Sequence, residues 1–147
     1  MKQIILSLML VVLALPASLY AAPRQSKNAN PCPNGIETRL FFINVQTGRA
    51  RSMVNPFDNV GRCFEIKSMD VLQIISRNKA LCGGKEPFAL VDFGKSSAPP
   101  NYFGGIVKGM GAFQYESAYG ELVTVHHFRL LSDSEKNEAI RANRAIN

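Results

Sequence analysis

Val107-Lys108-Gly109-Met110-Gly111-Ala112-Phe113-Gln114-Tyr115 is the stretch on which the fold turns. Val107, Phe113 and Tyr115, with Tyr119 beyond them, share one strand phase with Gly109 and Gly111, so large side chains stand in line with two positions that have none. Glycines inside a strand mark sharp coiling or the close approach of another backbone, as at the corner of a small barrel. The turn Ser117-Ala118-Tyr119-Gly120 follows, and a strand over Glu121 to Leu131 returns from it. The apolar phase of that strand switches between Val125 and Phe128, which predicts a bulge at His126-His127.

Upstream, Phe64 and Ile66 alternate on one phase, whereas Met69, Val71, Leu72, Ile74 and Ile75 shift it. A bulge or bend near Ser68-Met69-Asp70 is expected, and a bent strand can serve two sheets at once. The chain then turns at Arg77-Asn78-Lys79, passes Ala80-Leu81-Cys82 and the Gly83-Gly84 loop, and forms a strand over Phe88 to Phe93 before a Pro-rich loop at Gly94 to Pro100. Leu40 to Val45 and Arg49 to Val54 flank the turn Gln46-Thr47-Gly48 and predict a hairpin ahead of the main body. Ser132-Asp133-Ser134-Glu135 has the spacing of a capping box, with Arg141 and Arg144 trailing, and predicts a short helix over 133–145. The expected class is mainly β: a small OB-fold or SH3-like barrel with a preceding β-hairpin and a short C-terminal helix. The run from Val107 to Tyr115, continued through Thr124-Val125, resembles the paired late strands of small exported bacterial OB-fold-like β-barrel proteins. The resemblance spans about residues 64–131, implies the barrel, and carries over no site residues.

The N-terminus reads as an export signal. Lys2 precedes an apolar run from Ile4 to Leu15, then Pro16 and mostly small residues. That run is too short for a hydrocarbon core, which needs about 20 residues. Cleavage after Ala21 avoids placing Pro23 directly after the scissile bond. The expected organisation is a signal peptide over 1–21, an extended lead-in over 22–35 and a single β-rich domain over 36–147, without a transmembrane anchor after cleavage. Export to a periplasm or to the medium makes disulfide formation the rule. Cys32, Cys63 and Cys82 therefore form one pair and leave one thiol, and the hairpin between 64 and 82 favours Cys32 with either partner.

Composition excludes a disordered, collagen-like or polytopic membrane chain, with 46% hydrophobic and 19% charged residues. The formal net charge of +6 is uneven. Arg24, Lys27, Arg39, Arg49, Arg51 and Arg62 face only Glu37 and Asp58 within residues 22–63, a field suited to anionic partners. The residues that suggest catalysis lack its spacing. His126-His127 alternate across a strand and have no HExxH or spaced Cys/His companions, so no metal or other cofactor is expected. No serine stands in a GxSxG elbow, and Asp92 with Glu116 is only a drawable carboxylate pair. Stacking rings beside cations suit a binding face, so Arg49, Arg51, Tyr102, Lys108, Tyr115 and Tyr119 are the candidate ligand-binding residues, with Lys95 and Arg129 near them in sequence. The expected function is an exported, non-catalytic binding module that contacts an envelope component, an anionic glycan or a protein partner, with nucleic acid disfavoured. A small secreted enzyme and an inhibitor or virulence accessory are the alternatives.

Overall fold

The computed structural model describes residues 29–43, 46–47, 49–94 and 98–146; the signal peptide with its cleavage position, the start of the lead-in and Lys95 lie outside the described residues. The described chain is mainly β. Its elements are β1 (Ile36–Glu37), β2 (Phe41–Ile43), β3 (Ala50–Ser52), a 3-10 turn over Pro56–Asp58, β4 (Cys63–Ser76), β5 (Lys79–Gly83), β6 (Pro87–Asp92), β7 (Tyr102–Glu116), β8 (Leu122–Leu130) and the helix α1 (Asp133–Ile146). The early hairpin forms over shorter strands than expected, with Phe41 opposite Ser52 and Ile43 opposite Ala50 in a separate two-stranded sheet; Asn44, Val45 and Gly48 of the expected strand and turn lie outside the described residues.

β4 is irregular where the bend is expected, but both of its parts belong to one six-stranded sheet rather than to two. Its first part pairs antiparallel with β7, its register shifts between Ile66 and Met69, and its second part pairs antiparallel with β5. The sheet order is β1-β4-β5-β6-β8-β7, and β7 returns to β4, so the pairings of the five long strands form a closed circuit. One contact in that circuit, β6 with β8, is parallel. Phe64, Ile66, Met69, Val91, Phe103, Val107 and Phe128 fill its interior, with Leu40 of the early hairpin packed against them. Edge-on pairs, Phe64 with Phe128 at 5.8 Å and Phe93 with Phe103 at 5.2 Å, take the arrangement that the ring quadrupoles favour.

The strand phase read across 107–115 is broken by one residue. Gly109 stands opposite Phe128 and Gly111 opposite His127, which leaves Met110 as a bulge. A one-residue slip reverses the face of everything beyond it. Val107 therefore lies in the main core, whereas Phe113 and Tyr115 pack outside it against Leu81, Leu90 and Val125. The bulge expected at His126-His127 is thus on the facing strand. β8 is regular there, and its phase switch arises because both of its faces are covered: Val125 by the outer cluster, His126 and Phe128 by the inner one.

The lead-in is fastened by Cys32–Cys63, with Cα atoms 5.6 Å apart, and Cys82 remains a buried thiol in the core. Its pKa is pushed up to about 12 by burial, which makes it a small apolar side chain rather than a nucleophile. α1 seals the same side, packing Ala139 and Ile140 on Cys32, Cys63, Ile106 and Leu131. Its capping box forms as expected: the Ser132 N–H donates to Glu135 Oε2 at 3.0 Å and the Glu135 N–H to Ser132 Oγ at 3.4 Å. Arg129 adds a two-pronged bond to the same carboxylate at 2.9 and 2.8 Å.

Candidate functional site

Three polar side chains from three elements meet inside this apolar body. Asn59 and His126 are the buried polar residues among the described ones, and Ser52 at the end of β3 reaches the imidazole. Asn59 sits just past the 3-10 turn and grips the β7 bulge: its Oδ1 accepts from the Gly111 N–H at 2.7 Å and its Nδ2 donates to the Gly111 carbonyl at 2.9 Å. The second hydrogen of that amide points at His126 Nδ1, 2.9 Å away. On the other side of the ring, Nε2 is 2.8 Å from Ser52 Oγ. The ring packs against Phe88 and Phe128, with centroids 4.9 and 5.2 Å distant.

Serine, histidine and asparagine in a row resemble a nucleophilic triad, but the protons are arranged the wrong way. The Gly111 N–H fixes which end of the Asn59 amide is the acceptor, so the amide presents a donor to Nδ1. His126 must then be neutral with its proton on Nε2, aimed at Ser52. A base has to accept the serine proton on that nitrogen, and an asparagine that turns its NH2 towards the ring holds the wrong tautomer for this. Ser52 Oγ instead accepts from Nε2 and from the Val54 N–H, and gives its own proton to the Val54 carbonyl. Burial lowers the His126 pKa to about 4, consistent with a locked neutral ring. A cleft of about 210 Å³ opens beside Ser52 and His126, walled by Pro56, Pro87 and Phe88. This trio is a structural rivet that ties the early hairpin, the 3-10 turn and the β7 bulge to β8.

The residues read as ligand-binding are scattered over the surface. Arg49 meets Glu86 at 3.0 Å, and Glu86 also faces Tyr115, whose pKa is raised by burial first and by that carboxylate second. Arg49 and Tyr115 are therefore brought to one side, joined by a residue that sequence reasoning passed over. Phe113 stacks on Tyr115 at 6.4 Å with His127 tilted beside it, and this outer cluster supports the tip of the β7–β8 hairpin. Tyr119 stands on that tip 92% exposed, with Leu122 next to it at 69%. Tyr102 lies at the opposite end of β7, opposite Asp70, and Lys108 lies between, opposite Cys63 and Arg129. Tyr102 and Tyr115 lie thirteen positions apart, toward opposite ends of β7. Arg51 is exposed on β3. The basic surplus of the first third is partly spent internally, since Arg62 grips Glu37 at 2.6 and 2.7 Å and lies over the Phe64 ring.

Among the described residues, no group of three His, Cys, Asp or Glu side chains is placed to hold a metal ion, and no helix is long and apolar enough to cross a membrane. No protein-family model, curated protein or solved structure matches this chain.

Proposed function

We propose that the closed circuit of β4, β5, β6, β8 and β7 is an OB-like barrel, and that the chain is an exported, periplasmic or secreted, non-catalytic binding module whose partner is a protein held at the β7–β8 hairpin. The strand order, the parallel β6–β8 contact and the glycine-bulged β7 support the barrel reading. In such barrels the outer face of the second and third strands and the loop between the fourth and fifth bind ligands. Those are here the face of β5 and β6, covered by Leu81, Leu90, Phe113 and Tyr115, and the turn bearing Tyr119. The observation that carries the reading is that turn. It is stiffened by bonds from the Tyr119 and Glu121 N–H groups to Ser117 Oγ, and it holds a tyrosine and a leucine out in water. Rigid apolar anchors of this kind are what protein interfaces bury. The internal bonding of Ser52, His126 and Asn59 supports a non-catalytic role.

The test uses immobilised mature protein against envelope and medium proteins of the parent cell, comparing wild type with a Tyr119→Ala, Leu122→Ala double variant. A discrete partner retained by the wild type and lost by the variant bears out the reading. If that partner is an enzyme whose activity falls on binding, the module is an inhibitor. Retention unchanged in the variant overturns the hairpin as the contact. Salt-sensitive binding to heparin, abolished by Arg49→Ala with Arg51→Ala, would instead establish an anionic glycan as the ligand.

A further inference from the structure

On the side of the molecule sealed by α1, a groove of about 460 Å³ runs between the helix, β1 and the paired strands β4 and β7. That volume falls within the range of small-molecule sites, about 300–1,000 Å³. Its floor is kept low by Gly104 and Gly105. A Cβ on Gly104 would come within 2.4 Å of the Lys67 carbonyl oxygen, and Gly105 has φ +152°, so neither position accepts a side chain without strain. Ile36, Ile106 and Ile140 provide the apolar lining.

The charges around the groove have one sign in excess. Lys136 and Arg144 lie eight residues apart on α1 with Ile140 midway, a spacing that sets cation, isoleucine and cation in a single stripe about 12 Å long. Lys67 adds a third cation from β4, and Glu65 is the single acid of the lining. The Lys67 and Lys136 ammonium groups and the Arg144 guanidinium have no ion pair among the described residues. This differs from Arg49, Arg62 and Arg129, each of which has a carboxylate. Cations left without partners beside an isoleucine-lined hollow complement a molecule that is anionic at one end and apolar at the other.

We propose that this groove binds a single-chain anionic amphiphile as a monomer, its headgroup held by Lys67, Lys136 and Arg144 and its apolar part laid against Ile36, Ile106 and Ile140. A concave hollow of this size takes one molecule, whereas a bilayer surface would need a flat or convex cationic face. The site is separate from the β7–β8 hairpin, so it stands or falls independently of the protein partner proposed there.

Dodecyl phosphate below its micelle concentration is the probe, followed by calorimetry and by amide chemical shifts of the mature, disulfide-bonded protein. The expected result is saturable one-to-one binding, with shifts centred on Lys67, Gly104, Gly105 and Ile140. Inorganic phosphate and dodecyl maltoside, which each lack one half of the recognised chemistry, should bind at least about tenfold more weakly. A Lys136→Gln, Arg144→Gln variant, changed only at exposed positions, should lose about tenfold in affinity while its remaining amide spectrum stays in place. Tyr119→Ala with Leu122→Ala should leave the binding unchanged. Equal binding of dodecyl maltoside, equal binding of inorganic phosphate, binding unaltered by the two helix substitutions, or association with anionic vesicles alone would each overturn the proposal.

Discussion

Asn59 shows how one side chain can decide the chemistry of its neighbours. It serves both polar groups of Gly111 and one nitrogen of His126, all out of contact with water. Replacing it by alanine orphans a buried N–H, a carbonyl and an imidazole nitrogen together. Asn59→Ala should therefore destabilise the protein by about 2–4 kcal/mol, read as a lower urea midpoint. Acid attacks the same place. Burial in the folded protein lowers the His126 pKa to about 4, against 6.5 for the free side chain, because desolvation penalises the cation. The unfolded chain binds the proton first, so this stabilisation is full above pH 6.5 and is lost as pH falls towards 4. Its full extent is about 3 kcal/mol. Unfolding curves of the wild type between pH 7 and 4 should show that loss, and His126→Gln should flatten it. The meeting of Ser52, Asn59 and His126 was not legible in sequence, where they lie far apart. The two histidines drew notice only as neighbours, and their separation onto opposite faces of β8 follows from strand geometry.

At the level of elements, β7 was read correctly in kind and wrongly in phase. Its glycines do mark close backbone approach: a Cβ on Gly109 would lie 1.8 Å from the Asn59 carbonyl oxygen, and Gly111 has φ +107°. Gly109→Ala should therefore cost several kcal/mol by forcing two backbones apart, and it should lower the melting temperature far more than Ala112→Gly on the same strand. The bulge at Met110 was invisible because period-two reasoning assumes that no residue is skipped. Only the docking of the Asn59 loop shows where the skip falls. The shift on β4 was legible, since apolar residues there changed phase without glycines to obscure them. The terminal helix was legible as well, because its cap is written in four consecutive residues whose partners are all local.

Over the whole molecule, the cysteine arithmetic and the topology agree. The bridge between Cys32 and Cys63 closes a separation of 31 residues, and in the chain-entropy account loops of that size contribute about 3–4 kcal/mol. Alkylation of the native protein should label no cysteine, and alkylation after denaturation without reductant should label Cys82 alone. Three labelled thiols would show that the bridge does not form. Cys32→Ser with Cys63→Ser should lower stability by about that amount and loosen β1 and the lead-in before the main core.

Local chemistry, readable from neighbours in the chain, determined the β-rich class, the early hairpin, the bend in β4, the helix cap and the odd thiol. Each depends on interactions within a few residues or on simple counting. The closed circuit of strands, the rivet of Ser52, His126 and Asn59, the pairing of Arg49 with Glu86 and the cationic groove under α1 were decided only by tertiary structure. These join residues tens of positions apart, and a single bulge can exchange the two faces of a strand, so no pattern along the chain specifies which side chains will meet.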